Sequence, residues 1–263
     1  MIVLFPNDIF NPKQPDTAYK DRFIAFKNAG FKTALIEIES LNNEQTQIYP
    51  NLSPQDVVVY IGWMLSSSNY LSLTKIIKKK GAIPFTSRQE YLNTHYLPNW
   101  YTLLQEFTPK TRIYEADVDI ETELKKLDWS QYFIKDYVKS LKTSTGSIIN
   151  RPEDIKLVLA EMKKYRGTIE GGICVRQVED FIPESEQRYF VINKTAFASD
   201  RDQEIPTIVT ECINKIKSNF FSVDVINTKQ GHQRIVEIGD GQVSDIVGWS
   251  VKRYVEIWQN ICN

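Results

Sequence analysis

The chain has 263 residues, of which 42% are hydrophobic and 25% charged, a composition suited to a soluble globular protein of one large domain or two small ones. Its formal net charge of −1 excludes a global basic field that would draw it to nucleic acid or to an anionic membrane. Cys174, Cys212 and Cys262 stand far apart with only His95 and His232 as imidazoles, which argues against a structural zinc site and suits a reducing cytoplasm better than a disulfide framework.

The opening "MIVLF" reads as a buried strand ended by Pro6-Asn7-Asp8, without the basic n-region of a signal peptide. No apolar run approaches the length of a membrane span. "DTAYKDRFIAFKNAGF" predicts a helix, with Asp16 as N-cap, Tyr19, Phe23 and Phe26 at helical spacing and Gly30 at its end. "KTALIEI" and "DVVVYIGWM" predict strands, the second with the near-continuous apolar run of a central parallel strand. "NYLSLTKIIKKKG" predicts a helix and "AIPFT" a strand. Residues 1–90 are therefore expected to form an α/β layer with a mostly parallel sheet.

Residues 91–130 read as helix and connector, broken by Pro98. Residues 131–263 change grammar to α+β. "QYFIKDYVKSL" predicts a strand, and "KTSTGSIIN" a small-residue loop returning to a short strand. "NRPEDIKLVLAEMKKYRG" predicts a helix with Asn150 and Glu153 at capping-box spacing and Ile155, Val158, Leu159 and Met162 on one face. "GICVRQV" predicts a strand and "IPTIVTECINKIKSNF" a helix. "QRYFVINKTAFA" and "FSVDVINTKQGHQRIVEIGD" predict hairpins turning at Asn193-Lys194 and near Gly231.

No P-loop, dinucleotide fingerprint, kinase signature or nucleophile elbow is present. What remains for chemistry is carboxylates, lysines, arginines and a glycine-containing loop, an inventory for an anionic ligand and a hard cation. Asp224 and Glu237 interrupt apolar strand runs that would pair in the second hairpin. Buried together they would need a metal or a cation; on a solvent face, alternation alone explains them. Lys135 leaves its strand beside Lys139, Lys142 and the small-residue loop, a setting for phosphate oxygens or simply a surface lysine cluster. Arg188 would clamp a terminal phosphate or pair with Glu184 or Glu186.

The order strand-Lys, small-residue loop, helix, strand with polar hinge, strand-Arg, helix, strand-Asp, strand-Glu resembles the ATP-grasp fold. More narrowly, "LFPNDIFNPKQPD", "YIGWMLSSSNYLSL", "YLNTHYLPNW", "FIKDYVKS", "SEQRYFVI", "FSVDV" and "VEIGDGQVSD" resemble the divergent clade named for one arginine and two lysines. That clade includes the eukaryotic cell-division-cycle factor that assembles a translation initiation complex. One departure is Ile61 before "GWM", where the resemblance to bacterial members leads one to expect an arginine.

The resemblance implies an N-terminal α/β pre-grasp domain (1–90), a helical connector (91–130) and a nucleotide-binding ATP-grasp core with antiparallel strands (131–263). It implies that Lys135 binds ATP phosphates and takes part in catalysis. Lys139, in preference to Lys142, adds a second basic contact. The backbone of Arg176, Gln177, Val178 and Glu179 would meet adenine, and Glu179 or Glu184 the ribose. Arg188 would stabilise the transferred phosphoryl group. Asp224, Glu237 and Asp240 would carry Mg²⁺, with Gln242 and Asp245 farther out, toward the acceptor. The implied reaction is cytoplasmic Mg-ATP-dependent ligation: a carboxylate of a small molecule, peptide or protein is activated as an acyl phosphate and attacked by an amine. The alternatives are an ATP-locked assembly factor that grips a partner protein, and a non-catalytic α/β binding domain.

Overall fold

The structure is a computed structural model that describes residues 1–42, 46–115, 117–141 and 146–262. Lys142 and residues 143–145 of the small-residue loop lie outside the described residues. In chain order the elements are β1 (Ile2–Pro6), α1 (Lys20–Asn28), β2 (Lys32–Ile36), β3 (Ile48–Tyr49), β4 (Val57–Tyr60), α2 (Ser67–Lys79), β5 (Ile83–Pro84), α3 (Arg88–His95) and α4 (Leu97–Leu104). They continue with β6 (Thr111–Glu115), α5 (Ile120–Leu124), β7 (Tyr132–Asp136), β8 (Ile148–Ile149), α6 (Ile155–Arg166), β9 (Gly172–Gln177) and β10 (Phe181–Ile192). Last come β11 (Thr195–Phe197), α7 (Thr207–Lys215), β12 (Phe220–Thr228), β13 (Gln233–Asp240) and α8 (Val251–Cys262).

Compactness divides the chain differently from the three consecutive segments expected. One unit is Met1–Asn93 with Arg188–Val223 and Gly239–Asn263; the other is Thr94–Gln187 with Asp224–Ile238. The long strands β10, β12 and β13 contribute residues to both.

In the first unit the sheet runs β3-β2-β1-β4-β5. It is parallel as expected, except for the unforeseen two-residue edge strand β3, antiparallel to β2. Alternation buries both faces. Ile2, Leu4, Ala34, Ile36, Val58 and Tyr60 pack with Tyr70, Leu73 and Ile77 of α2. Val3, Phe5, Leu35 and Val59 pack with Phe26 of α1 and Tyr254, Ile257 and Trp258 of α8. Asp16 caps the turn before α1, accepting from Ala18 N at 2.8 Å. The hairpin β10–β11 turns at Asn193 and Lys194, with φ of 47° and 64°, the left-handed pair that a two-residue hairpin requires.

In the second unit the sheet runs β6-β9-β7-β8, antiparallel throughout. Tyr132, Ile134, Ile173 and Val175 face a core with Ile120 and Leu124 of α5 and Ile155, Val158 and Met162 of α6. The other face therefore carries Phe133 opposite Arg176 and Lys135 opposite Cys174. The expected capping box is not formed. Pro152 opens a 3-10 turn, Pro152–Asp154, that moves the α-helical start to Ile155. Asn150 instead accepts from Gln131 Nε2 at 2.8 Å.

The remaining sheet runs β11-β10-β12-β13. β10 begins at Phe181, upstream of the expected start, so Arg188 lies well inside the strand. The β12–β13 hairpin closes with Thr228 N donating to His232 O at 2.8 Å around Gly231, whose φ is 85°. Among the described residues Cys174 and Cys212 are free, and no helix is long and apolar enough to cross a membrane.

Candidate functional site

β7 places Lys135 on the face opposite its apolar core, where its side chain is only 6% exposed. Its Nζ donates to Glu237 Oε1 at 2.9 Å, and the Glu237 side chain is 42% exposed. A buried ammonium is thus matched to a carboxylate that water reaches. Asp136, fully buried, folds the next turn: its Oδ1 accepts from Val138 N at 2.8 Å and Lys139 N at 2.6 Å, and its Oδ2 from Glu170 N at 3.2 Å. That turn carries Lys139, which like Lys135 acts electrostatically on His95.

His95, at the end of α3, sits in the field of this group. Burial drives its pKa from 6.5 down to about 3; Glu237 opposes the shift, and Lys139 and Lys135 reinforce it. The imidazole is neutral at physiological pH. Sequence reasoning passed over His95 because its charged neighbours lie far along the chain; the polar "NTH" before an apolar helix was the only local sign.

Asp224 is 4% exposed on β12, next to β13 in the sheet. A Cβ on Gly239 would lie 2.9 Å from Ser222 Oγ, so those two positions face one another. Alternation then puts Asp224 and Glu237 on that same face. Among the described residues, no three His, Cys, Asp or Glu side chains gather into a metal cluster. Two carboxylates nevertheless fit Mg²⁺, which is commonly held by one or two carboxylates with phosphate oxygens filling the shell.

At the expected hinge, Arg176 is 5% exposed and its side chain is structural. Its Nη1 donates to Val236 O at 2.6 Å, and its Nη2 to Thr108 Oγ1. Burial lowers its pKa to about 10, against the pull of Glu237. The amides of Gln177 and Val178 donate to Lys110 O and Gln131 O at 2.8 and 3.4 Å. The Glu179 amide has no such partner among the described residues. The Glu179 carboxylate takes two bonds from Arg234, at 2.9 and 2.8 Å, and Glu184 is exposed on β10.

The other candidates belong to the first unit. Arg188 Nη1 donates to Asp245 O at 2.6 Å. Asp240 is fully buried, and its Oδ1 accepts from Gln242 N and Nε2 at 3.0 and 3.1 Å. Its charge adds to burial in raising the pKa of Tyr70 and Tyr91. Gln242, expected toward the acceptor, is buried in the core. It is 2% exposed, accepts from Tyr60 N and donates to Tyr70 Oη at 2.8 Å, because the turn after β13 folds into the core. Gly241 is there for closeness: a Cβ would collide with the Phe220 ring. Asp245 is exposed.

The strand-borne lysine, the antiparallel sheets and the acidic strand pair define an ATP-grasp fold. Residues 109–261 match a family described as an ATP-grasp domain, the third family of its clade. The match spans more than half of the chain, which belongs to this family. Among solved structures, D-cycloserine synthetase DcsG superposes with TM-score 0.65 at 8% identity, over 100% of both chains. The ATP-grasp ligase PsnB complexed with minimal precursor, Mg and ADP gives 0.60 at 10%, over 98% of this chain and 97% of that one. The macrocyclase MdnC bound with precursor peptide MdnA, from Microcystis aeruginosa MRC, gives 0.61 at 12%, over 99% and 100%. At these identities the likeness is one of fold. No curated protein matches the sequence.

Proposed function

We propose that the protein is a Mg-ATP-dependent ligase that activates a carboxylate, preferably of a peptide or protein, for attack by an amine. The observation that carries this reading is the buried Lys135 held 2.9 Å from half-exposed Glu237, on a sheet face shared with Asp224, in a chain of the ATP-grasp family. Bound ATP supplies the phosphoryl group, and Mg²⁺ neutralises charge on it. Lys135 would bind phosphate oxygens, and Glu237 with Asp224 would hold Mg²⁺, which would supply charge neutralisation there. Asp136 holds the turn that brings Lys139 to the same phosphates, while the Glu179 amide is the hinge donor for adenine. Arg188 balances charge as the acceptor carboxylate oxygen bonds to the terminal phosphorus and ADP leaves. The amine then bonds to the acyl carbon, and phosphate leaves with the carboxylate oxygen. No side-chain nucleophile is needed, since positioning and charge carry phosphoryl transfer.

A peptide acceptor is favoured because PsnB, in its complex with precursor peptide PsnA2, and MdnC were both solved with precursor peptides. Calorimetry with Mg-ATP, Mg-GTP and ATP plus EDTA tests the site. Heat is expected for Mg-ATP alone, and equal heat with GTP or no loss on chelation refutes the assignment. ADP formation on addition of a cell-derived peptide pool separates a ligase from an assembly factor of the eukaryotic kind, which would keep its ATP.

A further inference from the structure

Arg22 lies in the first turn of α1 with its side chain 11% exposed. Its guanidinium lies over the Tyr19 ring, 4.6 Å from the centroid. Its one anionic neighbour among the described residues is Asp245, at 3.6 Å from Nη2 to Oδ1, with the Asp245 side chain 72% exposed. At that separation the pair is an ion contact and not a hydrogen bond. The Arg22 nitrogens donate no hydrogen bond to the described residues, yet water reaches them, so the guanidinium is open to a carboxylate-like ligand.

The strand order around Arg22 is that of a ligand-binding edge. β1 leads through α1 to β2 on one side of the sheet, and β4 leads through α2 to β5 on the other. The carboxyl ends of β1 and β4 therefore flank a topological switch point, where open α/β sheets bind ligands. Trp63, in the loop after β4, is 46% exposed. Its indole donates to Asp16 Oδ2 at 2.9 Å, and its ring meets Tyr19 edge-on at 5.1 Å. The loop bearing Asp245 is held there by Arg188, through Asp245 O, and Asp245 Oδ1 also accepts from Ile246 N at 2.8 Å.

We infer that Arg22 anchors a carboxylate-binding site, with exposed Trp63 beside the organic part of the ligand and buried Tyr19 supporting the guanidinium from beneath, and that the Asp245 side chain occupies it as an internal stand-in which the ligand displaces. The site fits an organic carboxylate with an apolar or aromatic body. That this ligand is the ligase's acceptor rests on the function proposed above.

The test uses 3-phenylpropionate and its uncharged amide as probes, followed by saturation-transfer NMR on the full chain. The acid is expected to bind at least about tenfold more tightly than the amide, and Arg22→Gln to lose about tenfold. Asp245→Asn, an exposed change that leaves the core intact, is expected to bind the acid more tightly, by about threefold or more. Equal binding of acid and amide, absence of saturable acid binding, or unchanged or weaker binding in Asp245→Asn overturns the inference. ATP calorimetry on the same samples keeps the two readings apart. Acid binding as expected without ATP binding leaves the carboxylate site standing and removes the ligase; ATP turnover without acid binding does the reverse.

Discussion

The Lys135–Glu237 pair gives an asymmetric prediction. In Glu237→Gln the amide keeps an acceptor oxygen, but the ammonium of Lys135, 6% exposed, loses its counter-charge. Stripping one partner from a wholly buried pair costs roughly 3–5 kcal/mol. Here Glu237 is 42% exposed, so water replaces part of the interaction, and about 1–2 kcal/mol is expected. At about 2–4 °C per kcal/mol for a chain of this size, the apo melting temperature should fall by about 2–8 °C. Lys135→Met removes the buried charge and leaves a carboxylate that solvent hydrates, so its apo stability should stay within about 1 kcal/mol of wild type. The double variant should resemble Lys135→Met and not the sum of the two. Mg-ATP at a hundredfold excess over Kd should add about 2.7 kcal/mol to wild type and much less to either single variant. Urea and thermal melts of the four proteins, with and without Mg-ATP, decide it. A silent Glu237→Gln beside a destabilised Lys135→Met would refute the view that the pair is a buried cation matched to a wet anion.

Burial holds His95 at about 3 against 6.5 in the unfolded chain, so the unfolded state binds the extra proton between those values. Its contribution is complete above pH 6.5 and shrinks as pH falls toward 3, by about 1.4 kcal/mol per unit; His95→Gln should flatten the urea-measured stability between pH 6.5 and 5 by about 2 kcal/mol. Arg176→Met should cost about 2–4 kcal/mol by urea melts, since it removes the bonds to Val236 O and Thr108; a change below about 0.5 kcal/mol would mean that the brace is dispensable. Gly241→Ala should lose about 1–3 kcal/mol through collision with Phe220, and a wild-type melting curve would contradict the packing described. Arg188→Ala should lower turnover more than ATP affinity; complete loss of calorimetric ATP binding in a folded variant would give Arg188 a ground-state role.

Periodicity and turn chemistry are local, and what depends on them was legible from sequence. The parallel strands β1, β2 and β4, the apolar face of α6 and the left-handed pair Asn193-Lys194 all follow from spacing within a few residues. The charged interruptions Lys135, Asp224 and Glu237 were visible for the same reason, because each breaks an apolar run. Their partners were not. The Lys135–Glu237 contact joins residues 102 apart, and the Arg176–Thr108 contact residues 68 apart; no local pattern encodes such distances. The expected cap at Asn150 failed because the Pro152–Asp154 turn moves the helix start to Ile155 while Gln131 takes the Asn150 side chain. The burial of Gln242 was not legible either, since a polar side chain can enter a core once tertiary neighbours supply its hydrogen bonds. His95 and Arg22 drew no notice in the sequence because their character is set by burial and field. A histidine stays neutral down to about pH 3, and an arginine side chain is largely covered, only when distant segments pack around them.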